Sequence, residues 1–189
     1  MKLNIAISAR HVHLNEEDFI YLFGKEKKLT KYKDIGQPGQ FAAEEKVNII
    51  TEKSRFDNVR IVGPIRKYTQ VEISKTDSYI LGINPPVRDS GDLENSEKII
   101  IEYGEKQLLK ENCCIIANRH IHIKNSDLNK YNLKNGQTVK LKVYGEKGAI
   151  LENVKIKASD DALLEAHLDL DDANANIIDT NVLGEVIYE

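Results

Sequence analysis

One seven-residue pattern occurs twice in this sequence, and the duplication constrains the fold more than any other feature. Each copy centres on Arg-His-x-His and is followed by a capped, acidic segment that suits the start of a short helix. A chain with such an internal repeat is expected to fold as two similar halves. The copies and their following segments are Ser8-Ala9-Arg10-His11-Val12-His13-Leu14 with Asn15-Glu16-Glu17-Asp18, and Ala117-Asn118-Arg119-His120-Ile121-His122-Ile123 with Asn125-Ser126-Asp127.

The five histidines of the chain fall almost entirely within this repeat. Four of them form the two His-x-His pairs, and the fifth, His167, lies near the C-terminus. In a β-strand, residues i and i+2 point to the same face, so the two rings of each pair project together. Imidazole is the commonest protein ligand for zinc and similar metals. The pattern therefore predicts two metal sites, one for each half of the chain.

A weaker part of the repeat supplies a third ligand for each site. Val59-Arg60-Ile61 is similar to Val154-Lys155-Ile156, and thirteen residues beyond each valine stand Glu72 and His167. Three protein ligands with an open position are typical of a catalytic zinc, although cobalt and nickel accept the same donors. The predicted sets are His11, His13 and Glu72 for one site, and His120, His122 and His167 for the other.

Short β-branched runs separated by Gly, Asn, Asp or Pro predict a mainly β fold. Many short strands at this spacing favour barrels or sandwiches over a parallel doubly wound sheet. Helices are expected to be few and short. The clearest is Glu16–Phe23, which Asn15 can cap and Gly24 can end. The predicted strands lie within Lys46–Ile50, Asn58–Val62, Thr69–Ser74, Lys98–Glu102, Cys113–Ala117, Thr138–Tyr144 and Asn153–Lys157.

Composition and charge exclude several classes of protein. The formal net charge of -3 gives no overall field that would attract nucleic acid or a membrane surface. The chain has no apolar run of about eighteen residues, the length that a membrane-spanning helix needs. Cys113 and Cys114 are adjacent in an apolar run, so we interpret them as small buried hydrophobes in a reducing cytosol. Metal binding by one of them stays open as an alternative.

The chain resembles the PduL-type phosphotransacylases, the phosphate propanoyltransferase family, over nearly its whole length. Members of that family move an acyl group between coenzyme A and inorganic phosphate. Besides the two His-x-His copies, a series of motifs in the same order carries the resemblance, which makes it far more specific than a single His-x-His. These motifs are Gln37-Pro38-Gly39-Gln40-Phe41-Ala42, Gly63-Pro64-Ile65-Arg66, Thr69-Gln70-Val71-Glu72-Ile73-Ser74, Pro86-Val87-Arg88-Asp89-Ser90-Gly91-Asp92, His167-Leu168-Asp169 and Asp172-Ala173-Asn174-Ala175.

The resemblance implies a particular architecture. The family fold consists of two small, intertwined β-barrels capped by short α-helices, and it contains a pseudo-repeat of two halves. Carried over to this chain, residues 10–117 would form one barrel, and residues 1–9 with 118–189 would form the other. The family's active site lies at the junction of the two barrels. By the same resemblance, the protein is expected to be a homodimer.

The resemblance also implies an activity and a set of site residues. It predicts reversible transfer of an acetyl or propanoyl group between coenzyme A and phosphate, with two zinc ions held by the two ligand sets. Arg66 matches the family's essential arginine at the phosphate. Direct transfer, without an acyl-enzyme, is expected because no Ser-His-Asp or Cys-His nucleophile pair is evident. The residues matched to coenzyme A contacts are Ser8, Lys33, Arg60 and Asn174.

Two other functions are compatible with a His-x-His chain of this size. A cupin-like metal enzyme uses His-x-His, Glu and His, but it places all ligands in a single barrel and does not repeat the pair. A non-catalytic zinc-binding module is the second alternative. The roles of Arg10 and Arg119 also stay open, since each can bind an anion or pair with a carboxylate.

The expected location is the cytoplasm. The N-terminus lacks the apolar core and cleavage site of a secretory signal. Family members packaged in bacterial microcompartments carry an N-terminal targeting extension, and only ten residues precede His11 here. This observation favours a free enzyme of general acetyl-CoA metabolism. The choice between acetyl and propanoyl groups stays open.

Overall fold

The computed structural model describes residues 1–179 and 182–187. Within that part, the chain forms fourteen strands, three α-helices and two short 3-10 turns. The helices are α1 (Glu16–Phe23), α2 (Lys75–Leu81) and α3 (Leu170–Ala175). The strands are β1 (Lys2–Ser8), β2 (His11–His13), β3 (Lys31–Asp34), β4 (Phe41–Ile50), β5 (Arg55–Gly63), β6 (Gln70–Glu72), β7 (Val87–Arg88), β8 (Glu97–Tyr103), β9 (Lys106–Ala117), β10 (His120–Lys124), β11 (Thr138–Val143), β12 (Ala149–Ser159), β13 (Glu165–Asp169) and β14 (Leu183–Ile187).

One compact unit, here called the terminal barrel, is built from both ends of the chain. It comprises residues 1–8 and 36–38 and the described part of 118–189. Its strands close into a ring in the order β1-β13-β10-β12-β11-β14, and β14 pairs back onto β1. Its core consists of aliphatic side chains that alternate inward along these strands, including Ile121, Ile123, Leu141 and Ile156, all at most 1% exposed.

The second unit, here called the central barrel, comprises residues 9–35 and 39–117. Six of its strands close into a ring in the order β4-β5-β2-β6-β9-β8, because β8 pairs with both β9 and β4. β3 adds to β4, and β7 adds to β9. The prediction of a mainly β chain with two barrels and a few short helices is confirmed.

The two barrels hold their histidine strands in the same register. In the central barrel, β2 lies between β5 and β6, and His11 stands opposite Arg60 on one side and Glu72 on the other. In the terminal barrel, β10 lies between β12 and β13 in the same orientations. The corresponding register there joins His120 to Lys155 and His167. The internal repeat of the sequence is therefore a repeat of strand pairing, which explains the equal spacing to each third ligand.

The repeat extends to an unusual backbone conformation. Asn58 and Asn153, each directly before the valine that marks the weaker repeat, have φ values of 57° and 59°. Among residues with a Cβ, asparagine tolerates this left-handed region best. Both halves thus have a left-handed asparagine at the same point of the strand that pairs with the histidine strand, β5 in one half and β12 in the other.

The predicted helix at Glu16–Phe23 is confirmed at both ends. The Asn15 side chain accepts a hydrogen bond from the Asp18 N–H at 2.8 Å, and Gly24 follows the last helical residue with φ of 93°. The second acidic segment differs from α1 in helix type. Residues 125–131 form two 3-10 turns, and Asn132 ends them in the left-handed conformation with φ of 52°. The short helix expected at that point is present, and it is a 3-10 helix and not an α-helix.

The helices are short throughout the described ranges 1–179 and 182–187. The longest of them, α1, has eight residues and measures about 12 Å. A bilayer core is about 30 Å thick. None of these helices is long and apolar enough to cross a membrane.

Candidate metal centres

The structure brings His11, His13 and Glu72 together in the central barrel. Val12 and Val71 are 0% exposed, so alternation along β2 and β6 turns the three polar side chains to the opposite face. The Glu72 Oε2 atom lies 3.5 Å from His11 Nε2, and Oε1 lies 3.9 Å from His13 Nε2. The two Nε2 atoms are 3.1 Å apart. Two ligands of a tetrahedral zinc are about 3.4 Å apart, so these separations suit one ion.

Hydrogen bonds behind the rings fix which nitrogen faces this first site. His11 Nδ1 lies 2.8 Å from the Ala9 carbonyl oxygen, and His13 Nδ1 lies 2.8 Å from that of Val62. A carbonyl only accepts, so each Nδ1 carries the hydrogen and each neutral ring keeps a lone pair on Nε2. The two lone pairs then face each other across 3.1 Å. A cation bound by both nitrogens is the partner that this arrangement fits.

The second site, in the terminal barrel, gathers His120, His122 and His167. The candidate ligand atoms of each set lie within 4.8 Å of one another. His120 repeats the arrangement of its counterpart, with Nδ1 2.8 Å from the Asn118 carbonyl oxygen and Nε2 3.2 Å from His122 Nε2. Burial, reinforced by the neighbouring rings of His120 and His167, lowers the pKa of His122 to about 2. A ring that stays neutral in this way is ready to donate its lone pair to a metal.

The third ligand of each site has a dedicated hydrogen-bond partner two residues before it. Gln70 Nε2 donates to Glu72 Oε1. Glu165 Oε2 accepts from His167 Nε2 at 2.9 Å, and this hydrogen bond lowers the pKa of Glu165. Each partner is chemically complementary to its ligand. The Gln70 amide donates to the Glu72 carboxylate, and the Glu165 carboxylate accepts from the His167 imidazole. Such outer partners orient a ligand and set its protonation. Sequence reasoning missed both residues.

A short segment of the terminal barrel packs against Glu165. The Gln37 side chain exchanges hydrogen bonds with the Leu163 backbone, accepting from its N–H and donating to its carbonyl, both at 3.1 Å. A Cβ on Gly36 would lie 2.1 Å from Glu165 Oε2, so a larger residue there would displace the Glu165 carboxylate. Gly36 and Gln37 therefore help to form the surroundings of the second site.

The structure pairs both arginines of the repeat with carboxylates. Arg10 Nη2 lies 2.6 Å from Asp77 Oδ1, and Arg119 contacts Asp172 through two hydrogen bonds of 2.7 and 2.6 Å. Each aspartate belongs to the first turn of a helix, α2 or α3, that starts just after the strand with the third ligand. Each arginine therefore ties its His-x-His strand to the element that follows the third ligand.

Arg66 lies in the central barrel, in the same unit as the first site. Its backbone N–H donates to the Leu14 carbonyl at 2.9 Å, and Leu14 directly follows His13 in the chain. Its Nη1 atom donates to Ser90 Oγ at 3.1 Å. The residue is half-buried. Arg66 is therefore held at both its backbone and its guanidinium.

The four residues matched to coenzyme A contacts divide between the two units. Ser8 ends β1 and Asn174 lies exposed in α3, both in the terminal barrel. Lys33, exposed on β3, and Arg60 lie in the central barrel. There, Arg60 donates to the Ala43 carbonyl, and its guanidinium sits 4.8 Å above the ring centre of Tyr32.

The adjacent cysteines are both buried and both free thiols. Burial raises the pKa of Cys113 to about 12 and that of Cys114 well above its ordinary value. Neither belongs to the two three-residue groups that bring ligand atoms together in the described part of the chain. They pack in the core of the central barrel, as small hydrophobes do.

Comparison with known proteins identifies the family of this chain. A sequence model of the phosphate propanoyltransferase family matches residues 4–179. The phosphate propanoyltransferase of Thermotoga maritima is 46% identical over 185 residues, which cover 97% of this chain and 87% of that protein. That of Priestia megaterium is 47% identical over 186 residues, covering 98% and 86%, and that of Listeria monocytogenes is 38% identical over 185 residues, covering 98% and 87%. The chain belongs to the phosphate propanoyltransferase family and is an acyltransferase.

Proposed function

We propose that this protein is a phosphate acyltransferase that moves a short acyl group reversibly between coenzyme A and inorganic phosphate, with two zinc ions as cofactors. The observation that carries the proposal is the duplicated three-ligand cluster, with paired Nε2 atoms 3.1 and 3.2 Å apart. Acetyl-CoA and propanoyl-CoA are the expected substrates. Cobalt or nickel would suit the same ligands.

The reaction is a direct displacement at a thioester. A phosphate oxygen attacks the carbonyl carbon, the C–S bond breaks, and the thiolate of coenzyme A leaves as the acyl phosphate forms. The barrier comes from bringing a hydrated anion to the carbonyl while negative charge develops on sulfur and oxygen. Zinc bound at these ligands would supply Lewis-acid stabilisation for the thiolate and for the phosphate charge.

Arg66 is the protein's own contribution to phosphate binding. A guanidinium offers two parallel N–H groups that match two phosphate oxygens, which fixes the anion as well as neutralising it. Orienting the attacking oxygen converts an encounter in solution into a reaction within the site. Its anchoring at Leu14 and Ser90 supports this role, since a fixed guanidinium positions a bound anion.

Several features support direct transfer over an acyl-enzyme. The Nδ1 atoms of His11, His13 and His120 face backbone carbonyls, and the Nε2 atoms of each His-x-His pair face one another, an arrangement that suits metal ligands better than general bases. Burial keeps the Cys113 thiol protonated, with a pKa of about 12. A protonated, buried thiol is a poor nucleophile.

Several further proposals come from the family resemblance. We propose that Ser8, Lys33, Arg60 and Asn174 contact coenzyme A, whose phosphates suit the two basic side chains. A homodimer and a cytoplasmic location also stay predictions.

The test is a thiol-release assay with acetyl-CoA or propanoyl-CoA, with and without phosphate, on protein whose metal content has been measured. We expect release to require phosphate and two metal ions per chain. Arg66→Ala should keep both metal ions and lose most turnover. Arg55→Ala, a surface control, should keep both metal ions and its turnover. Release without phosphate would indicate a hydrolase, and metal binding without release would indicate a zinc-binding module.

A further inference from the structure

We propose that Ser90 and Gln70 are positioning residues that lock the Arg66 guanidinium to the first metal centre through Glu72. This inference rests on the proposed function, because it assigns Arg66 to phosphate and Glu72 to a metal. It adds two residues to the machinery and explains why the Asp-Ser-Gly motif after β7 accompanies the Arg66 motif.

Gln70 is the centre of this network. It is 0% exposed, and its side-chain oxygen accepts the Gly91 N–H at 2.7 Å. Its nitrogen donates both hydrogens, one to Glu72 Oε1 and one to Ser90 Oγ at 2.9 Å. Rotating the amide by 180° would place its oxygen against the Glu72 carboxylate and leave the Gly91 N–H without an acceptor. The hydrogen bonds therefore fix a single orientation of the amide.

Ser90 joins that amide to Arg66. Its Oγ atom lies 2.9 Å from Gln70 Nε2 and 3.1 Å from Arg66 Nη1, and both nitrogens are donors. A hydroxyl has two lone pairs, and these two N–H groups can occupy them. The Arg66 guanidinium is thus held by Ser90 Oγ, which is itself held by Gln70, the hydrogen-bond partner of Glu72.

The loop that carries Ser90 is built for this contact. Gly91 has φ of 97°, a conformation that strains any residue with a side chain. A Cβ there would also lie 3.1 Å from the Tyr68 hydroxyl oxygen. The glycine lets the loop turn so that its N–H reaches Gln70 while the preceding Ser90 side chain reaches Arg66.

The backbone of Arg66 is tied to the same centre by a second route. Its N–H donates to the carbonyl oxygen of Leu14, the residue directly after His13. The backbone of Arg66 is therefore positioned next to one metal ligand, while its guanidinium is linked to another, Glu72. A long, flexible side chain loses much rotamer freedom when it is ordered, so fixing it before phosphate arrives favours binding. The network therefore predicts that its loss weakens the binding of phosphate and leaves the binding of acyl-CoA unchanged.

The test compares Ser90→Ala and Ser90→Thr with the unaltered protein. Ser54→Ala is the control, because Ser54 makes its turn contacts to Thr51 through the backbone. Ser90→Ala removes a hydrogen bond to a charged group, so we expect KM for phosphate to rise about tenfold. KM for acyl-CoA and the metal content should stay unchanged, and the rise in Tm on adding phosphate should shrink. Ser90→Thr, which keeps the oxygen, should restore the KM for phosphate.

A second variant tests the link to the metal independently of turnover. Gln70→Glu places a carboxylate against Glu72, so we expect loss of one of the two metal ions in a chain whose circular dichroism shows it is folded. An unchanged KM for phosphate in Ser90→Ala, or two bound metal ions in Gln70→Glu, would overturn the positioning role of these residues but not the proposed function. Lack of phosphate-dependent release by the unaltered protein would instead refute the proposed function.

Discussion

Arg119 donates from Nε and Nη2 to the two carboxylate oxygens of Asp172, at 2.7 and 2.6 Å. Arg119 stands directly before His120, and Asp172 lies in the first turn of α3, which begins directly after the strand that carries His167. Arg119 also donates from Nη1 to the Glu152 carbonyl at 3.0 Å. The arginine thus connects the start of β10, which carries His120 and His122, to α3, which follows the strand with His167.

Replacing this arginine should therefore weaken the second site from outside it. Arg119→Lys keeps the charge but loses the two parallel hydrogen bonds. We expect the free energy of unfolding to fall by about 1–2 kcal/mol and one metal ion to bind more weakly. Urea unfolding and metal titration measure these effects, with Arg55→Lys as a surface control. Unchanged affinity for both ions would show that the pair serves stability alone.

The two three-ligand sets should lose their metals independently. Each set lies within one unit, so removal of one ligand leaves the other set complete. We expect His11→Ala and His120→Ala each to bind one ion per chain, and the double variant to bind none. Elemental analysis of the dialysed proteins measures this. Two ions in His11→Ala would show that the first ligand set is wrong.

The partner of His167 should control the affinity of the second site. Glu165→Gln replaces a charged acceptor by a neutral one, so the imidazole becomes a weaker donor to a metal. We expect about a tenfold loss of affinity for one ion and no change for the other. Glu152→Gln is the control, because that side chain is 65% exposed and pairs only with Lys140 among the ion pairs described. Competition with a chelator measures both affinities.

Much of this architecture could be predicted because the repeat preserves spacing. Glu72 and His167 share one distance from their valines since both halves pair the same strands in the same register. Asp77 and Asp172 each lie five residues beyond the third ligand, so the same comparison could have found the partners of the arginines. That signal was present in the sequence.

Other parts of the site depend on contacts that spacing does not encode. Ser90 meets Gln70 and Arg66 across 20 and 24 residues, in a loop without a counterpart in the repeat. The segment after β10 has the acidic start of a helix, yet it closes as 3-10 turns ended by a left-handed Asn132. In both places tertiary contacts, and not local preference, decide the structure.

The two cysteines should be inert in the folded protein. Burial raises the pKa of Cys113 to about 12, so at pH 8 only about one thiol in ten thousand is ionised. Cys114 is 0% exposed, and burial raises its pKa well above its ordinary value. We expect a disulfide reagent such as DTNB to label neither thiol in the native protein and both after denaturation. Removing the metals with a chelator should not change this, because neither sulfur belongs to a ligand set. Rapid labelling of the native, metal-free protein would instead support a cysteine as a metal ligand.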